Sequence, residues 1–254
     1  MIGSFFATLK KRNLLLTIFV TGCLLAAVGC VALIPLVPKQ VLGISAWIKP
    51  LKFFLSAAIY AATLAWYLHY LQNARLTKWF SWMLIAVLGF ELVYIFLKAA
   101  EGQLSHFNIA TPFAGIMYAA MGIAISLLTL CTAYVGYLFF KKPFPSLAPA
   151  YLWGIRLGIL LFVIFAFEGG IMAAQLTHTV GAADGSPGLP LTNWSNQFGD
   201  LRVAHFVGMH ALQILPLYGF YRSKSANNSI IAGFIYFIVT ALLFLQAWYG
   251  QPLF

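Results

Sequence analysis

Seven long stretches of this chain are apolar almost throughout, and polar residues collect in the gaps between them. The stretches cover residues 13–36, 47–72, 77–101, 108–140, 150–176, 200–222 and 228–250. A helix needs about 20 mainly apolar residues to cross a bilayer core, so each stretch predicts one spanning helix. The gaps are short except for 177–199, where Gly181, Asp184, Gly185, Pro187, Gly188 and Pro190 predict an ordered loop over one end of the bundle. No linker, composition shift or internal repeat divides the chain. The expected class is all-α: one integral membrane domain over residues 1–254, a bundle of seven transmembrane helices.

Composition strengthens that picture. The chain is 62% hydrophobic and only 8% charged, whereas soluble domains carry about 25% charged residues. The lipid bilayer is therefore the first expected partner. The net charge of +10 does not point to nucleic acid, because the lysines and arginines are scattered at span ends. With the N-terminus inside, the inner side receives Lys10, Lys11, Arg12, Arg75, Lys78, Lys141, Lys142, Arg156, Arg222 and Lys224, and the outer side Lys39, Lys49, Lys52, Lys98 and Arg202. This asymmetry predicts a cytoplasmic N-terminus and a periplasmic C-terminus. Val20-Thr21-Gly22-Cys23 has the form of a lipoprotein cleavage box, but the apolar run continues past Cys23, so residues 13–36 are expected to stay as the first helix. Cys23, Cys30 and Cys131 lie inside spans and predict small core residues, not disulfides.

In this topology all five acidic residues (Glu91, Glu101, Glu168, Asp184 and Asp200) fall in the outer half or outside it, with His106, His178, His205 and His210. Charge inside a bilayer is costly, and an ionisable residue there is a functional-site hypothesis by default. Helical rise puts Glu91, Glu168 and His210 each roughly 12–15 Å below the outer surface, which predicts one cluster and makes them the candidate catalytic residues. Glu91, Tyr94, Lys98 and Glu101 share one helix face, readable as an ion-pair stripe or as a polar wall leading to Glu91. Lys52, Lys98 and Arg202 are candidate ligand- or cofactor-binding cations, and Lys52 is the expected partner of Glu91. Lys49 is read as an anchor to lipid headgroups or, with those three, as part of a mouth that attracts a small anion. Ser105 or Asn108 is expected to cap the fourth span, and Asp200 the sixth. His205 and His210 are five residues apart, about 140° around a helix, so they do not grip one metal as an i, i+4 pair does. His69, near the inner end of span two, is read as an interface residue.

Carboxylates with imidazoles suit zinc or iron, and His205 with Met209 would suit copper. The expected metal set is Glu91, Glu168, His106, His178, His205 and His210. The leading expectation is a periplasm-facing metal site, with a metal-dependent membrane enzyme as its sharpest form. The alternatives are a proton-coupled transporter and a sensory protein that binds a small molecule or lipid. Oligomerisation is left open.

Three stretches carry a resemblance: Trp47-Ile48-Lys49-Pro50-Leu51-Lys52-Phe53, Ser105-His106-Phe107-Asn108, and Asp200-Leu201-Arg202-Val203-Ala204-His205-Phe206 followed by His210-Ala211-Leu212-Gln213. They resemble those of a family of uncharacterised bacterial multi-pass inner-membrane proteins. The resemblance implies a bacterial inner membrane and brings no activity with it. Seven spans are also found in microbial rhodopsins, but residues 228–250 hold no lysine for a retinal Schiff base.

Overall fold

Eleven residues ahead of the first span form a helix of their own, and the break between the two is made by one side chain. Asn13 takes an extended conformation, its Oδ1 accepts the Leu16 N–H at 3.0 Å, and its Nδ2 donates to Ser81 Oγ at 2.8 Å. The computed structural model describes residues 2–253. The helices are α1 (Ile2–Arg12), α2 (Leu14–Leu36), α3 (Ile48–Tyr70), α4 (Ala74–Glu101), α5 (Pro112–Lys141), α6 (Pro149–Gln175), α7 (Arg202–Tyr221) and α8 (Ala226–Trp248). Two-residue strands β1 (Gln40–Val41) and β2 (Ile44–Ser45) pair antiparallel, as do β3 (Thr179–Val180) and β4 (Gly199–Asp200). The seven helices α2 to α8 are each long and apolar enough to cross a membrane, as the sequence pattern predicts. At 11 residues α1 is too short to do so. Cys23, Cys30 and Cys131 are free thiols.

The helices pack as two units, Met1–Leu128 and Thr129–Phe254. In the first, α1 docks on the end of α3. Leu9 is fully buried, Phe5 stacks on Trp66 at 5.7 Å, and the Arg12 guanidinium lies 3.8 Å from the Trp66 ring centre. At the opposite end of the unit, the β1–β2 hairpin turns through Leu42 and Gly43, both at positive φ, as a two-residue hairpin loop requires. It ties α3 to α4: Lys39 Nζ donates to Ala100 O at 2.5 Å, and Trp47 packs with Ala46 and Ala99.

In the second unit, α6 and α7 cross where glycine removes the side chain. A Cβ on Gly154 would sit 2.5 Å from the Leu215 carbonyl oxygen, and one on Gly158 would sit 2.8 Å from that of Ala211. Close backbone approach through small residues is the usual way membrane helices gain packing where lipid offers no hydrophobic drive. The loop between α6 and α7 is ordered, as expected. The β3–β4 pairing and the Gly188–Ser195 bridge hold it, and Gly199 lies directly against Ala247 of α8.

Two expected caps differ. The fourth span begins at Pro112, where Thr111 Oγ1 accepts the Ala114 N–H at 3.1 Å, so neither Ser105 nor Asn108 caps it. Leu201 holds the cap position of α7, while Asp200 Oδ1 accepts the Arg202 N–H at 3.1 Å. In both places proline or a tight turn shortens the helix relative to its apolar run.

Candidate functional site

Glu91 and Tyr94 stand one turn apart on the inward face of α4, and each is only 6% exposed. Around Tyr94 pack Ile95, Met121, Phe53, Phe90 and Met117. Lys49, from the first turn of α3, places its Nζ 5.9 Å from the Phe53 ring, and its charge acts on both Glu91 and His106. The His106 ring lies 5.5 Å from Phe53 and 6.3 Å from Tyr118 of α5, and its Nδ1 is 3.1 Å from Ser105 Oγ. Phe53 is thus the shared wall that brings α3, α4 and the 102–111 loop to one place. Burial, and then the positive charge of Lys49, hold His106 well below the ordinary imidazole range, which keeps the ring neutral at pH 7.

Three polar atoms of this group stand apart from the rest. Glu91 Oε1, Tyr94 Oη and Tyr118 Oη are buried without a hydrogen-bond partner among the described residues. A buried polar group left unmade costs about 1–3 kcal/mol. Above them, Lys98 Nζ pairs with Glu101 Oε2 at 2.6 Å and Gln103 Oε1 at 3.1 Å. Of the two readings for that stripe, the ion pair is present at Lys98 and Glu101, while Glu91 and Tyr94 are buried deeper on the same face. Lys52 is half-buried one turn beyond Lys49.

The second unit holds two separate polar groups. Glu168 of α6 is 7% exposed, and neither carboxyl oxygen has a partner among the described residues. Beside it, His205 Nδ1 lies 2.7 Å from the Phe165 carbonyl oxygen. A carbonyl only accepts, so Nδ1 carries the hydrogen and Nε2 is left as an acceptor. That ring packs over Gly169, where a Cβ would come within 3.1 Å of Cε1. His210 bonds instead to Gln213 and packs edge-on to Phe206 at 4.2 Å. Glu168 and His210 therefore do not pair.

The other group lies in the α6–α7 loop. Asp184 Oδ1 accepts from Thr177 Oγ1 at 2.7 Å and Thr179 N at 3.0 Å, and it lies 3.2 Å from His178 Nδ1. Asp200 accepts from Arg202 Nε at 2.9 Å, Arg202 Nη2 at 2.6 Å and Ser195 N at 2.8 Å. Arg202 Nη2 also donates to Asn193 O. Burial works against the Asp184 charge, but the His178 ring and the hydrogen bonds from Thr177 and Thr179 outweigh it and hold the carboxyl below its usual range. Arg202, expected to bind a cofactor, here ties the loop to the start of α7.

The expected metal set is thus spread over different groups. Glu91 and His106 belong to the first unit; Glu168, His178, His205 and His210 belong to the second. Among the described residues no three His, Cys, Asp or Glu side chains converge as a metal site. Tyr118 was not among the residues singled out from sequence. Its only signal there is its place beside Met117, one turn before Met121. Comparison with protein-family models, with curated proteins and with solved structures gives no match for this chain.

Proposed function

We propose that this multi-pass membrane protein binds a small polar molecule at the cluster of Lys49, Glu91, Tyr94, His106 and Tyr118. The observation that carries this reading is the trio of buried polar atoms without partners, Glu91 Oε1, Tyr94 Oη and Tyr118 Oη, beside a lysine. Glu91 Oε1 calls for a donor, the two phenols call for acceptors, and the Lys49 charge nearby favours an anion. A small carboxylic acid that also bears a hydroxyl or amino group supplies both. The lysine and arginine asymmetry and the resemblance of the three motifs support a bacterial inner membrane, an inside N-terminus and a site that opens to the periplasm. Melting of the detergent-purified protein against a panel of hydroxy and amino acids tests the binding. A true ligand at a hundredfold excess over Kd stabilises by about 2.7 kcal/mol, and the gain disappears in the Tyr94→Phe/Tyr118→Phe double variant. No stabiliser in the panel, or an equal gain in the double variant, sinks the reading.

Glu168 favours a second reading, proton carriage through the second unit. A partnerless carboxyl group inside a spanning helix is typical of proton relays. Proton flux into proteoliposomes that is lost in Glu168→Gln and kept in Glu91→Gln supports it; flux that is absent, or equal in the two variants, overturns it.

A further inference from the structure

The start of α4 carries charge that neither the fold nor the cluster around Glu91 uses. Arg75 and Lys78 stand in its first turns, both exposed, with no hydrogen bond or ion pair to the described residues. No acidic residue accompanies them there, and cations at a helix N-terminus oppose the helix dipole, so they add nothing to α4 itself. Nor does nearby sequence neutralise them. The first acidic residue of the whole chain is Glu91, which is 91 − 75 = 16 residues from Arg75, or about 24 Å along the helix.

The same face continues into the bilayer as an apolar track. Trp79 and Trp82 are each 53% exposed. With Met83, Ala86 and the two cations they line an open groove of about 510 Å³. The opposite face of this segment, Phe80, Ser81, Leu84 and Leu88, is the one buried in the unit. We propose that the groove holds one anionic phospholipid, with its phosphate against Arg75 and Lys78 and an acyl chain along Trp79, Trp82, Met83 and Ala86. The charge must be met from outside the chain, and a phosphodiester meets it at the depth where the tryptophans mark the membrane interface. A free anion would leave the apolar half of the groove unused. A second copy of the chain pairing face to face would set cation against cation.

Native mass spectrometry of the purified protein in micelles tests this, with phosphatidylglycerol and phosphatidylcholine supplied at equal concentration. One phosphatidylglycerol is retained in preference. The R75A/K78A variant weakens its retention roughly ten- to thirtyfold, the charge-keeping R75K/K78R variant retains it, and W79A/W82A weakens it with both cations in place. The proposal is overturned by equal retention of the two lipids, by unchanged retention in R75A/K78A, or by a dimer that W79A/W82A dissolves.

Discussion

Tyr94 and Tyr118 set stability against function. Each buries a hydroxyl without a partner, so removing that oxygen should relieve the empty protein while weakening its ligand. Tyr94→Phe and Tyr118→Phe are each expected to raise unfolding stability by about 1 kcal/mol without ligand, read by thermal or denaturant unfolding in detergent. A loss of stability would mean that the phenols already have partners. His106 gives a pH signature. Its folded pKa is depressed, by burial first and by Lys49 second, while the unfolded chain takes up the proton near pH 6.5. Its contribution to stability is therefore full above about pH 6.5 and is lost as pH falls below that value. On going from pH 7.5 to pH 5.5, the melting temperature of the wild type should shift further downward than that of His106→Gln, and equal shifts in the two would remove His106 from the account. Asp184 does not confuse the test. Its carboxyl is also held low, so its contribution is lost only in more acid solution, below about pH 4.

Among the elements, α6 and α7 depend on what glycine leaves out. With a Cβ at Gly154 only 2.5 Å from a backbone oxygen, even Gly154→Ala should cost about 1–3 kcal/mol, measured by unfolding in mixed micelles; the same change at Gly170, which has open space, should cost far less. In the α6–α7 loop, Arg202→Ala removes the clamp on Asp200 and Asn193. Proteolysis between residues 182 and 198 should then speed up while helix content holds. The spans themselves were legible because a bilayer demands a run length that composition shows directly. The 177–199 loop was legible from its turn residues. Hidden were α1, whose docking rests on Phe5 and Arg12 meeting Trp66 some 60 residues on, and the tie from Lys39 to Ala100. Such contacts join residues far apart in sequence, and no periodicity reports them. The same limit applies to the site. Glu91 announced itself as a charge in an apolar run, yet that Lys49 acts on it, and that Tyr118 lies by His106, depends on how three elements pack. His205 looked like a ligand by type, and its hydrogen bond to Phe165 is invisible in the sequence.

At the scale of the whole chain, the distribution of charge predicts orientation. An impermeant maleimide applied to intact cells should label Asp184→Cys and spare Lys11→Cys in a background without native cysteines; the reverse pattern would turn the protein over and move the Glu91 cluster to the cytoplasmic side. Elemental analysis of the purified protein bears on the scattered carboxylates and imidazoles. Metal well below one equivalent is expected, and a stoichiometric metal lost in His106→Ala would restore a metal centre to the first unit. The tight crossing of α6 and α7 has a further consequence during synthesis. The chain between them, residues 176–201, must leave the ribosome before α7 does. Until α7 arrives, α6 stands with Gly154 and Gly158 bare toward lipid and with the Phe165 carbonyl lacking its His205 donor. The half-made protein is then most open to quality-control proteases and to insertion chaperones, and the interval lasts as long as ribosomes take to add that loop and the helix after it.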